Sequence, residues 1–161
     1  MITTQKLAEG FALNLCLIKL QSEGVSHAES LLQAPYNINC LNWVVGHIAV
    51  NRDNVLELLG QERLLSAAET DRYRSESQPI RPGDQDVLQL ERLLEILERG
   101  LELIAASLVA LSREELTREI QVGQIKMNVG ERLFGFYFHD TYHTGQTDLL
   151  RQVAGKNDKV I

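Results

Sequence analysis

The chain has 161 residues, 44% of them apolar and 24% charged, with a formal net charge of −6. That length suits one domain with one substantial core over residues 1–161, and no apolar run approaches the roughly 20 residues of a membrane-spanning helix. Lys and Arg are scattered rather than gathered into the basic patch of a nucleic-acid binder, and the first ten residues lack a signal-peptide layout, so the expected setting is the cytoplasm, with neither nucleic acid nor membrane as partner.

The first helix is expected from about Thr4 to Gln21, because Leu7, Phe11, Leu15 and Ile18 recur at helical spacing and make one apolar stripe. Cys16 lies in that stretch and is expected as a small buried thiol. After Gly24, residues 26–33 suggest a short helical turn before Pro35, with His27 as a solvated surface histidine. A second helix opens with Asn42 as its N-cap and runs through Trp43, His47, Asn51 and Val55 to Leu59, where Gly60 stops it. Cys40, just before that start, is expected to be the more exposed cysteine. The polar stretch 61–83 reads as a long crossover, with a short helix around Leu64–Glu69.

The third helix carries the clearest signal. Val87, Leu90, Leu94, Leu97, Leu101, Ile104, Leu108 and Leu111 alternate spacings of three and four, a narrow apolar seam that must pack on neighbours, and Asp84 is its expected N-cap. Between Ser112 and Val129 the period falls to two around Gly123-Gln124, which predicts a small β-hairpin. The last helix starts near Asn128, where Asn128 and Glu131 have capping-box spacing, and continues to about Ala154 before Gly155. The reading is therefore an all-α fold, a four-helix bundle with a long crossover between the second and third helices and a small β-hairpin before the last.

Two histidines one helical turn apart, His139 and His143, present their imidazoles on one face, the geometry that can place two nitrogens on a single ion. Gly135 and Gly145 leave room beside them. His47 stands within an apolar stretch, Trp43 to Val50, of the second helix; alone it reads as a core histidine, but beside a matching pair it becomes a third ligand. A zincin protease is not expected, since Asp140 takes the position of that motif's glutamate and no histidine or glutamate follows His143. Three neutral imidazoles leave an ion with open coordination positions, as in a catalytic site. Asn51 and Gln146, one turn from His47 and His143, are candidates to orient those rings, and Asp140 and Asp148 are expected to point away. Phe134, Phe138 and Tyr142 share one face of the last helix with Tyr137 close by, read first as core packing and otherwise as a dimer interface.

The stretches Asn42-Trp43-Val44-Val45-Gly46-His47-Ile48-Ala49 and His139-Asp140-Thr141-Tyr142-His143-Thr144-Gly145-Gln146 resemble the DinB-like (YfiT-like) metal-binding four-helix bundles over nearly the whole chain. The resemblance implies an up-down-down-up topology, a divalent metal ion, nickel or zinc, held by His47, His139 and His143, and a homodimer. It leaves the reaction open. One reading is an enzyme that activates a low-molecular-weight thiol or water, as a thiol S-transferase or a hydrolase would, on a small-molecule substrate. Another is a non-catalytic stress-response or ligand-binding bundle with a structural or sensing metal, and the blandest is three core histidines that bind no metal. No side chain can be assigned as general base from sequence.

Overall fold

In the computed structural model, which describes residues 3–35, 38–81, 83–158 and 160, side-chain caps set most of the helix starts. The helices are α1 (Thr4–Ser22), α2 (His27–Ser30), α3 (Leu41–Leu58), α4 (Ala67–Tyr73), α5 (Leu90–Ala110) and α6 (Arg113–Thr117); strands β1 (Glu119–Val122) and β2 (Ile125–Asn128) then precede α7 (Val129–Val153). Ser26, Ser66, Ser112 and Asn128 each accept from a backbone N–H three residues on, and the glutamate at that position answers back to the cap's own N–H. The fold is mostly helical with one two-stranded antiparallel hairpin, in which Ile120 faces Met127 and Val122 faces Ile125. Among the described residues, no helix is long and apolar enough to cross a membrane.

Side-chain bonds fix how the long helices lie. Asn14 meets Asp140, and Gln21 meets Asp148, so α1 and α7 run in the same direction. His47 meets His139 while Asn51 meets the Phe136 carbonyl, so α3 runs against α7. Asn42 meets the Leu88 carbonyl and Arg52 the Leu97 carbonyl, so α3 and α5 share a direction. Apolar residues fill the space between in two clusters, one around Val45, Ile48 and Leu93 and the other around Phe11, Leu56 and Leu133.

Arg52 crosses the interior between them. Its Nε donates to Asp140 Oδ2 at 2.9 Å, and its two terminal nitrogens donate to the carbonyls of Leu97 and Phe11. Asp140 also accepts from Asn14 Nδ2 at 2.8 Å. Both charged groups are buried, and a charge in that position is tolerated only because every strong donor direction finds an acceptor. One guanidinium thereby ties all the long helices at mid-height.

Several expectations are corrected. Asn42 is not the cap of the second helix: Cys40 takes that place without a side-chain bond, and Asn42 is the second residue of the helix, buried, donating to the Leu88 carbonyl and accepting from the Tyr73 hydroxyl. Asp84 does not cap the third helix, which opens after Gln89; its carboxylate instead accepts from Arg72. The short helix starts later than expected because the Asp53 carboxylate engages the N–H groups of Leu64 and Leu65, leaving Ser66 to begin it. The cysteines are reversed, Cys40 buried and Cys16 exposed, since Cys16 sits a quarter turn off the Leu7–Phe11–Leu15–Ile18 stripe. His27 opens α2 half-buried rather than solvated. Phe134, Phe138 and Tyr142 do not pack in the core: they are 46%, 64% and 60% exposed, because α7 buries the stripe Leu133, Phe136, Asp140, Thr144 and Thr147 instead.

Candidate metal centre

Helix periodicity places His139 and His143 one turn apart on α7, and the opposed course of α3 brings His47 against them. The ring centroids stand 5.0 Å (His47 to His139), 4.8 Å (His47 to His143) and 4.5 Å (His139 to His143) apart. One nitrogen of each lies within 4.8 Å of the others, close enough for the three to hold one metal ion. The Nε2 atoms of His47 and His139 are 3.1 Å apart; two ligands of a tetrahedral ion at about 2.0–2.1 Å stand about 3.3 Å apart.

Two of the rings are oriented from behind. His47 Nδ1 lies 2.8 Å from the Tyr73 carbonyl, which can only accept, so the proton is on Nδ1 and Nε2 offers its lone pair. His143 Nδ1 lies 2.7 Å from Gln146 Oε1, which likewise leaves Nε2 as the ligand atom. His139 Nδ1 is buried with no hydrogen-bond partner among the described residues. Asn51 is buried and donates to the Phe136 carbonyl at 3.0 Å, one turn before Asp140, and so bears on the course of α7 rather than on a ring. Asp140 is turned to Arg52, and Asp148 is exposed.

The electrostatics favour the uncharged rings a metal requires. Burial lowers the pKa of His47 and His143 below the usual histidine value, and it lowers His139, with help from the two neighbouring rings, to about 4. His47 and His143 turn an Nε2 lone pair inward, and His139 Nε2, the donor to His47 in the metal-free site, offers one once its proton moves to Nδ1. Three neutral imidazoles so placed are a donor set that zinc, nickel, copper or iron would accept. The residues present therefore fit a divalent transition metal.

The site opens on a cavity of about 630 Å³ whose walls include Ile38, Trp43, Val44, Tyr142 and Leu149, with Ser75, Glu76 and Gln146 as polar members. Trp43 stacks on His47, centroids 4.6 Å apart and 12° from parallel, and its indole N–H donates to Ser77 Oγ at 2.8 Å. The segment after α4 thus forms part of the wall. Within it Glu76 has φ +65°, a left-handed conformation that costs a residue with a Cβ roughly 1–2 kcal/mol.

Sequence reasoning missed Tyr73, Glu76 and Arg52. Arg52 carried a usable signal, a lone cation five residues after His47 inside an apolar helix, for which a buried acidic partner had to exist. Tyr73 acts on His47 through its backbone carbonyl, which no side-chain pattern reveals.

No family model matches the chain, and no curated protein matches it. Among solved structures it is similar to the crystal structure of a conserved protein from Enterococcus faecalis, with 18% sequence identity over 96% of this chain and 98% of that one and a TM-score of 0.75. At that identity the likeness is one of fold.

Proposed function

We propose that the chain is a DinB-like, up-down-down-up four-helix bundle and a metal-dependent enzyme, which activates a thiol or a water molecule at His47, His139 and His143. The observation that carries this reading is the convergence of three neutral imidazoles on the wall of a cavity large enough for a small molecule. The directions of α1, α3, α5 and α7 fit such a bundle, as does the hairpin before the last helix.

When bound, the ion would supply a Lewis acid that lowers the pKa of a coordinated water or thiol toward neutrality. The chain's own residues do the positioning. Tyr73 and Gln146 hold the His47 and His143 rings with Nε2 inward, and Trp43 braces His47 by stacking. Trp43, Val44 and Leu149 give the cavity apolar walls, which limit water around a bound ligand. Gln146 also lines the cavity, and while its Oε1 holds His143 its amide NH2 can donate to a substrate.

The alternative is a non-catalytic stress-response or ligand-binding bundle with a structural or sensing metal; a purely structural metal calls for an enclosed site, and the adjoining cavity speaks against that form of it. The reaction, thiol S-transfer or hydrolysis, and the metal, nickel or zinc, are carried by the resemblance. A homodimer is carried by it too, whereas a cytoplasmic setting rests on the composition. The exposed face of Phe134, Phe138 and Tyr142 suits a partner copy.

Elemental analysis of the untagged protein beside a His143→Ala variant tests the site. About one equivalent of nickel or zinc per chain, lost in the variant, is expected. No metal in either after reconstitution would leave three core histidines and refute the enzyme.

A further inference from the structure

We infer that the cavity beside the three histidines takes a small ligand with an apolar body and a cationic group, an amine or guanidinium, which pairs with Glu76. The inference rests on the open-site reading above and adds the chemistry of what enters.

The cavity's lining supplies the argument. Ile38, Trp43, Val44, Tyr142, Leu149 and Leu150 make most of the wall apolar. Asn39, Ser75 and Gln146 are neutral, and the three rings are neutral as metal ligands. Apart from the ion those rings would hold, Glu76 is therefore the one lining group with a formal charge among the described residues, and it comes from the segment after α4 rather than from the helices that carry the histidines. A ligand that reaches the histidines with a thiolate or other donor atom has a carboxylate for its far end. A second anionic group there would be opposed.

Two further observations set Glu76 apart. Its backbone is left-handed, φ +65°, a conformation that glycine or asparagine would adopt at lower cost. Strained positions persist where surrounding structure enforces them and cluster at ligand sites. Glu76 also stands at the border of a neighbouring cavity of about 820 Å³ walled by Arg72, Arg74 and Arg81. Arg72 is already engaged by Asp84 and Asp86, and Arg74 by Asp71. Arg81 walls the same cavity but makes no ion pair with Glu76, whose carboxylate has no ion-pair partner among the described residues.

The test uses three thiols of matched length on the cobalt-loaded protein: cysteamine, 2-mercaptoethanol and 3-mercaptopropionate. Binding is read from thiolate-to-cobalt charge-transfer absorbance, for the parent and for Glu76→Gln, Glu76→Asn and Glu76→Lys. Comparing ratios of dissociation constants between variants cancels the different acidities of the thiols. The preference for cysteamine over 3-mercaptopropionate should fall about fivefold in Glu76→Gln, as loss of an exposed ion pair implies. Glu76→Asn, which suits the left-handed backbone, should lose it equally, and Glu76→Lys should reverse it. Unchanged ratios in all three variants, with the thiols still binding, would overturn this inference alone. Absence of any charge-transfer band with every thiol would overturn the open-site reading, and this inference with it.

Discussion

The Tyr73 ring occupies the space a side chain at residue 46 would need: a Cβ built on Gly46 would lie 2.1 Å from Tyr73 Cδ1. The contact seats α4 on α3 one residue before His47, and it brings the Tyr73 carbonyl to His47 Nδ1. The Tyr73 hydroxyl completes the anchorage by donating to Asn42 Oδ1 and accepting from the Leu88 N–H. Burial pushes this hydroxyl up to about pKa 12, so it stays protonated and able to donate. The glycine of the Val45-Gly46-His47 stretch is thus a packing requirement that becomes a requirement on ligand orientation.

Gly46→Ala should therefore destabilise the protein by about 1–3 kcal/mol, the range for forcing an extra carbon into a packed interior. It should also weaken metal binding, because α4 must move and carries the Tyr73 carbonyl with it. Tyr73→Phe separates the two effects. It keeps the ring and the carbonyl but leaves Asn42 and Leu88 without their partner, so about 1–2 kcal/mol of stability goes while metal affinity holds. Denaturant unfolding and metal titration of both variants check this; equal affinity losses would place the hydroxyl, not the carbonyl, in control of His47.

The Arg52–Asp140 pair gives the second prediction. Asp140 directly follows His139 on α7, and Arg52 lies on α3 with His47, so this bond fixes the two ligand-bearing helices against each other. Arg52→Met strands a buried carboxylate and should cost about 3–5 kcal/mol. Adding Asp140→Leu removes the stranded charge, so the double variant should be more stable than Arg52→Met alone. Chemical denaturation of the four proteins in the cycle measures the coupling. Strict additivity would mean that the charges do not depend on one another.

How much of this was legible in the sequence follows from which interactions are local. The capping box at Asn128 and Glu131, the hairpin at Gly123 and the α5 seam are encoded within a few residues, and they were readable. His139 and His143 were readable as a pair for the same reason, and His47 by its contrast with apolar neighbours. Asn42 and Asp84 carry good cap chemistry, yet tertiary partners 31 and 12 residues away claim their side chains. The aromatic face of α7 was not legible because two stripes are available on one helix, and the positions of α1 and α3 together decide which is buried.

The depressed histidine pKa values predict an acid-labile site. In an unfolded chain a histidine takes up its proton near pH 6.5, whereas His139 in the folded, metal-free protein does so only near pH 4. Between those values the unfolded chain binds more protons, so stability is fully present above pH 6.5 and declines as pH falls toward 4. His47 and His143, lowered in the same sense, steepen the decline. Urea unfolding in chelator at pH 7.5, 6 and 5 should show it, with a shallower trend in His139→Asn. A flat profile would mean that the rings are already protonated when folded or are solvated.

Gln146 and Asn51 make opposite predictions, although each stands one turn from a histidine. Gln146 Oε1 holds the Nδ1 proton of His143 at 2.7 Å, so Gln146→Ala frees the ring to rotate and to change tautomer. Loss of such an orienting partner typically weakens metal binding 10–100-fold, with little effect on stability because Gln146 is half-buried at the cavity wall. Glu at this position keeps an acceptor and adds charge, so Gln146→Glu should hold affinity at or above the parent value. Asn51 holds the Phe136 carbonyl in the core, so Asn51→Ala should lose about 1–3 kcal/mol of stability. Its affinity should stay within about threefold of the parent. Competition against a chromophoric chelator, run beside thermal unfolding, reads both quantities. If Asn51→Ala lost the metal and Gln146→Ala kept it, His143 would not depend on its Gln146 bond, and α7 packing rather than ring orientation would govern the site.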